Sequence, residues 1–207
     1  MKNIHFFIIA ILAFGLTACS SLEDEVTEQT DFFESVMNTY GAEYVSYNAS
    51  NASKIPAVLT DDMCSVLEAL RLNSNKLQEC IWDSKDSFEK VVMTGSYKAV
   101  TRNGSSSENF ALNVELKFSL AKGQIYYWGT DYSYSSDLFD WSAEGLSLVP
   151  VKDGDGYSYR FESETYLYFK VSDEANAVVR VPVVFKGNYN FQTQSGTYSF
   201  KLLKYSK

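Results

Sequence analysis

The chain has 207 residues, with 26 acidic and 18 basic side chains and a net charge of −8. That balance makes the chain a poor candidate for gripping a nucleic acid or an anionic lipid face by charge, because both need clustered lysine and arginine, so neither is expected as a partner. One chain of this length suits a single domain with a sizeable core.

Lys2 precedes an apolar run from Ile4 to Leu16, and Thr17-Ala18 supplies the small residues a signal peptidase requires before its cut. The run is shorter than the roughly 20 residues of a comfortable bilayer span, and no basic cluster follows it. Residues 1–18 are therefore expected to be a cleaved leader. The quartet Leu16-Thr17-Ala18-Cys19 resembles the lipobox of bacterial lipoprotein precursors. That resemblance implies lipidation of Cys19, a mature chain that begins there, and membrane attachment worth about 0.8 kcal/mol per buried acyl methylene. Ser20 behind the cysteine is similar to an outer-membrane sorting position, and Glu23-Asp24-Glu25 resembles the surface-export tag of Bacteroidota lipoproteins. Together they imply an outer-membrane, lipid-anchored protein, with the periplasmic and the surface face both open and residues 19–30 as a flexible acidic tether. The single histidine, His5, belongs to the leader, so the mature chain has no Ser-His-Asp or Cys-His chemistry and no imidazole metal ligand. No cofactor and no metal is expected.

Asp31 and Glu34 have the spacing of a capping box, and Phe32, Phe33, Val36, Met37 and Tyr40 recur at helical spacing up to Gly41, which predicts a short helix with an apolar stripe. The repeat from Asn48 to Ser53 reads as a loop. A second helix is predicted with Thr60 as its cap, Asp61 and Asp62 at its positive end, a stripe of Met63, Val66, Leu67 and Leu70, and a stop at Asn73-Ser74-Asn75. Cys64 lies beside that stripe. An oxidising compartment allows a bond to Cys80 that closes a loop of about 16 residues, worth on the order of 3 kcal/mol; two buried thiols acting as small apolar residues fit the sequence as well.

From Phe88 onward the period changes to two. Phe110, Leu112, Val114, Leu116, Phe118 and Leu120 alternate with Asn113, Glu115, Lys117 and Ser119, so one face is expected to be buried and the other wet. Tyr159, Phe161, Leu167, Phe169 and Val171 alternate likewise with Arg160, Glu162, Glu164 and Lys170; Val179, Val181, Val183 and Phe185 follow, then Tyr198, Phe200 and Leu202. Turns are expected at Asn103-Gly104, Lys122-Gly123, Asp153-Gly154-Asp155-Gly156, Gly187-Asn188 and Ser195-Gly196. Pro182 inside an alternating run suggests an edge strand or a bulge.

The densest unusual segment is Tyr126, Tyr127, Trp128, Tyr132 and Tyr134, followed by Phe139-Asp140-Trp141. Aromatic rings stack on sugars while nearby carboxylates bind their hydroxyls, and tyrosine and tryptophan also supply rigid area for protein contacts. Strands favour the same residues for covering a sheet or filling a core. Asp153-Gly154-Asp155-Gly156 has a fragment of a calcium loop but lacks the distant glutamate, and a hairpin turn accounts for it. Glu162 and Glu164 would stand about 7 Å apart on one strand face, within the range two glycosidase carboxyls need, which is also what any wet strand shows.

The expected architecture is mainly β with an N-terminal helical segment, an α+β arrangement in which about six to eight antiparallel strands form a meander, sandwich-like or barrel-like. A single domain is expected over 31–207, helical over 31–75 and β-rich over 87–207. The expected function is a lipid-anchored, non-catalytic cell-envelope module that binds a glycan or a protein through Tyr126, Tyr127, Trp128, Tyr132, Tyr134 and Trp141. The alternatives are an accessory subunit of an envelope or pilus complex and, behind it, a carboxylate-based hydrolase.

Overall fold

The computed structural model describes residues 31–46, 54–73, 78, 79, 81–83, 89–100, 107–121, 124–142, 151–154 and 156–204. The expected leader and tether, Cys19, Cys80, Asp155 and the turns expected at Asn103-Gly104 and Lys122-Gly123 lie outside these residues. In chain order come helix α1 (31–40), β1 (Glu43–Tyr44), β2 (Ala57–Val58), helix α2 (Thr60–Asn73), β3 (Gln78–Glu79) and β4 (Ile81–Asp83). Then follow β5 (Glu89–Val100), β6 (Ser107–Ala121), β7 (Gln124–Ser135), β8 (Asp140–Ser142), β9 (Val151–Lys152), β10 (Ser158–Val171), β11 (Ala177–Asn190) and β12 (Ser195–Leu202).

The fold is mostly β and sandwich-like, as expected, and the sheets are open at their edges rather than closed into a barrel. The strands do not form one meander. Among the described residues, β4-β5-β6-β7 make one sheet, while β10-β11-β12 form the centre of a second, eight-stranded sheet that also holds β1, β2, β3, β8 and β9. All pairings are antiparallel except the short one between β2 and β10. The chain changes sheets twice at the flanks: between Glu79 and Ile81, and again between Ser135 and Asp140.

Period-two alternation explains the core. Leu112, Val114 and Leu116 of β6 face Leu167 and Phe169 of β10 and Val179, Val181 and Val183 of β11 within one buried cluster. Each such side chain contributes about 1.5–3 kcal/mol relative to exposure. Tyr198 ties the sheets together by donating its hydroxyl to the Thr94 carbonyl at 2.6 Å. Helix α2 packs against β5 of one sheet and β12 and β10 of the other, so it covers the flank where β3 passes to β4. Met63, Val66, Leu67 and Leu70 are fully buried there, the stripe their spacing predicted.

Helix α1 buries Phe33, Val36, Met37 and Tyr40. It ends at Gly41, whose φ of +63° lets the Ala42 N–H reach the Met37 carbonyl at 2.9 Å. Helix α2 departs from expectation at its start. The Met63 N–H bonds the Leu59 carbonyl, which makes Leu59 the capping position and leaves Thr60 inside the first turn. The Thr60 N–H (3.0 Å) and hydroxyl (3.1 Å) instead both donate to Asp173, from the turn between β10 and β11. The cap is therefore supplied from 113 positions away. Cys64 is half-buried on the same helix, and the bond expected to Cys80 involves a residue outside the described ones.

Three strand expectations are corrected. Gly187-Asn188 is no turn but lies within β11, with Gly187 opposite both Phe161 and Tyr198. A Cβ there would lie 2.3 Å from the Thr197 carbonyl oxygen and 2.7 Å from the Phe161 ring, so the glycine serves close strand approach. Ser195-Gly196 begins β12, and the preceding turn spans residues 191–194. Pro182 lies in β11, an interior strand, opposite Tyr166 of β10. Its carbonyl accepts from the Leu203 N–H at 3.1 Å, so its ring nitrogen faces the same flank. There β1 pairs only as far as Arg180 and the β12 ladder reaches only to Val183, opposite Leu202, and the missing donor costs no ladder bond.

Candidate functional site

Among the described residues strand β7 is an edge strand, and its register against β6 decides where its aromatic side chains point. Tyr134 is opposite Leu112, Tyr132 opposite Val114 and Tyr127 opposite Phe118. Residues directly opposite share a sheet face, and Leu112, Val114 and Phe118 belong to the buried face, so all three tyrosines turn toward the space between the sheets. Odd- and even-numbered residues share one face because the register slips between Lys117 and Phe118. Lys117 pairs with Gly129 and Phe118 with Tyr127, which makes Trp128 the extra residue of a β-bulge. The Trp128 side chain lies outside the described part of the structure.

Behind the tyrosines stands β8, which belongs to the other sheet and places Trp141 opposite Leu167. Trp141 is 2 % exposed, and its Nε1–H donates to Thr165 Oγ1 at 2.9 Å; the Thr165 hydroxyl in turn donates to the Val183 carbonyl at 3.2 Å. A ring held this way is core, so the expectation that Trp141 offers a stacking face to a ligand is corrected by its burial. The Tyr132 ring meets Trp141 edge-on at 5.6 Å, and Tyr134 stacks on buried Phe139 at 5.9 Å. Tyr127 is half-buried against Phe118, with its hydroxyl bonded to Thr130.

Tyr132 and Tyr134 are 44 % and 37 % exposed, so each has a covered and an open side. Tyr126, on the opposite face beside Ser119, is 47 % exposed. The Tyr134 hydroxyl donates to Asp140 Oδ1 at 2.7 Å. Partial burial, and after it that bond and the carboxylate charge, push the Tyr134 phenol up to about 12. The open rim therefore consists of two aromatic rings two residues apart, about 7 Å along the strand, with an acceptor carboxylate fixed at one end. Such an arrangement can stack a planar or C–H-rich ligand face and accept a hydrogen bond from it.

The remaining candidates fall elsewhere. Glu162 and Glu164 stand exposed on the outer face of the larger sheet. Glu164 accepts from the Tyr166 hydroxyl at 2.6 Å, while Glu162 opens onto a cleft that Glu164 does not line. That placement gives a paired acid and base no common enclosure. Asp153 and Gly156 close the turn between β9 and β10 through the Gly156 N–H to Asp153 carbonyl bond at 3.0 Å, and Asp153 pairs with Arg160 at 3.2 Å. Among the described residues no group of three or more acidic, cysteine or histidine side chains is placed to hold a metal ion, and no helix is long and apolar enough to cross a membrane.

No curated protein and no solved structure matches the chain. One family model does, over residues 24–202, and its description is Domain of unknown function (DUF5033). That span takes in both helices and every strand from β1 to β12, and the chain belongs to this family.

Proposed function

We propose that the protein is a non-catalytic binding module of the bacterial cell envelope, moored by acylated Cys19 and engaging a glycan through the rim of β7. One observation carries the reading: Tyr132 and Tyr134 are backed by buried Trp141 and Phe139, so their open sides are held in place before a ligand arrives. Rings fixed in advance lose little conformational freedom on binding, which is why such positions bind more tightly than mobile ones. Mooring rests on the resemblance of Leu16-Thr17-Ala18-Cys19 to a lipobox. The test is a glycan array probed with the wild type and with Tyr132→Ala and Tyr134→Ala. Recognition by the wild type that both variants lose supports the reading, and a wild type that recognises no glycan removes it. Labelled palmitate should mark the wild type and leave Cys19→Ala unmarked.

The accessory-subunit reading is favoured by one feature. Strand β7 runs 12 residues along the edge of its sheet, and among the described residues no strand pairs with its outer side. Co-purification of a stoichiometric envelope partner that proline at Asp131 disrupts would bring this reading forward.

A further inference from the structure

The outer face of the larger sheet carries a second concavity, remote in register from the tyrosine rim. It has a volume of about 490 Å³ and lies over the central strands β10, β11 and β12, with Val151 of β9 at its border. Pairing sets its rows. Glu162, Lys186 and Ser199 stand side by side across the three strands; Arg160, Asn188 and Thr197 form the next row, and Val184 with Lys201 the row on the other side. Small side chains on β12 lie among long ones, which is what hollows the face.

Its chemistry runs against the rest of the molecule. The protein as a whole carries a net charge of −8, yet the cleft is lined by Arg160, Lys186 and Lys201 against the single carboxylate Glu162. Arg160 is engaged by Asp153 at 3.2 Å. Lys186 and Lys201 make no ion pair among the described residues, although Glu162 is directly opposite Lys186. Ser199 is 2 % exposed and lines the cleft beside Lys186. Directly opposite and diagonal cross-strand positions lie about 5 to 8 Å apart, so the two ammonium groups and the hydroxyls of Ser199 and Thr197 can reach one small ligand.

We infer that this cleft binds a carboxylated sugar, with Lys186 and Lys201 holding the carboxylate and Ser199, Thr197 and Asn188 meeting ring hydroxyls. Two unpaired ammonium groups define the anionic end, because a charge-assisted bond is about twice as strong as a neutral one. The Ser199 and Thr197 hydroxyls on the same wall match a polyhydroxylated body, since a bare anion engages only the ammonium groups. The volume falls within the range of about 300 to 1,000 Å³ typical of small-ligand sites.

The test is isothermal titration of the full chain in detergent micelles with trigalacturonate, an oligoglucuronate and sialyllactose. Each is compared with its carboxyl methyl ester, and acetate and inorganic phosphate serve as bare anions. The expected result is binding of at least one acid, with a loss of roughly tenfold or more on esterification. Lys186→Gln combined with Lys201→Gln should abolish that binding while leaving the circular dichroism spectrum unchanged. Glu162→Gln should tighten it severalfold by removing a like charge, which a merely structural glutamate would not do. Tyr132→Ala should leave it intact, so failure here and failure at the tyrosine rim are read separately. Equal binding of acid and ester, competition by acetate at matching concentration, indifference to the lysine substitutions, or binding of none of the acids would each overturn the inference.

Discussion

Thr165→Val is the sharpest test of the role given to Trp141. The substitution keeps the volume and shape of a side chain that is 1 % exposed, and it removes the oxygen that accepts from Trp141 Nε1–H and donates to the Val183 carbonyl. Trp141 is then left with a buried donor that has lost its acceptor, a cost of about 1–3 kcal/mol, and Val183 loses a neutral bond worth about 0.5–1.5 kcal/mol. Valine recovers part of that through its apolar methyl, for a net loss of roughly 2 kcal/mol. For a domain of this size the loss corresponds to a fall in Tm of about 4–8 °C.

Thr165→Ser isolates the hydrogen bonds, since it keeps the hydroxyl and loses one methyl, for about 1 kcal/mol. Trp141→Phe removes the donor itself. In that background Thr165→Val should cost less than about 0.5 kcal/mol, because no orphaned N–H remains. Urea unfolding of the four proteins supplies the cycle, given coincident transitions by fluorescence and circular dichroism. A Thr165→Val protein as stable as the wild type, or one losing the same stability with Phe at position 141, would refute the account of Trp141 as a core residue anchored by this relay.

Three further outcomes follow from single contacts. Gly187→Ala would place a Cβ 2.3 Å from a backbone oxygen of β12, which side-chain motion cannot relieve, so a loss of about 3 kcal/mol or more and a poor soluble yield are expected; a wild-type melting curve would contradict the strand approach described. Asp173→Ala should destabilise the domain by about 1–2 kcal/mol by stripping the cap from α2, and Asp173→Asn should recover most of that, so chemical denaturation in which Asn and Ala behave alike would argue against a capping role. Tyr134, raised to about 12, keeps its proton in the fold at pH values where the unfolded chain has released it. Its contribution is present below about pH 10 and lost as pH rises through about 12, so Tyr134→Phe should flatten that alkaline decline in denaturant midpoint.

What was legible in the sequence is what depends on near neighbours. The alternation of Phe110 to Phe118, of Tyr159 to Val171 and of Val179 to Phe185 found the core faces, and the Met63 to Leu70 stripe found the buried side of α2. What was not legible depends on a distant partner. Gly187 reads as a turn until Thr197 and Phe161 are seen on either side of it. Thr60 reads as a cap until Asp173 arrives. The turn between β10 and β11 was hidden for a different reason. Ala175 and Asn176 adopt φ of 52° and 57°, and the Ala177 N–H closes on the Glu174 carbonyl at 2.8 Å, a shape usually marked by glycine. Strands of two or three residues such as β1, β2, β8 and β9 are too short to carry a period at all.

The aromatic segment shows why composition alone could not divide platform from core. Tyr127 and Tyr132 are five positions apart, and strict alternation would send them to opposite faces of β7. The bulge at Trp128 changes the parity, so both turn inward, and because β7 is the edge strand among the described residues their outer side has no neighbouring strand there. The chain then crosses to the other sheet within a few residues and returns Phe139 and Trp141 beneath the same rings. Half of the segment is thereby spent on burying the other half's undersides. That division gives substitutions at the two levels different signatures: removing an upper ring, Tyr132 or Tyr134, should cost recognition with little stability, while disturbing a lower one through Thr165 should cost stability first. If Tyr132→Ala instead lowered Tm as much as Thr165→Val, the upper rings would be part of the core, and β7 would have no preorganised face to offer a ligand.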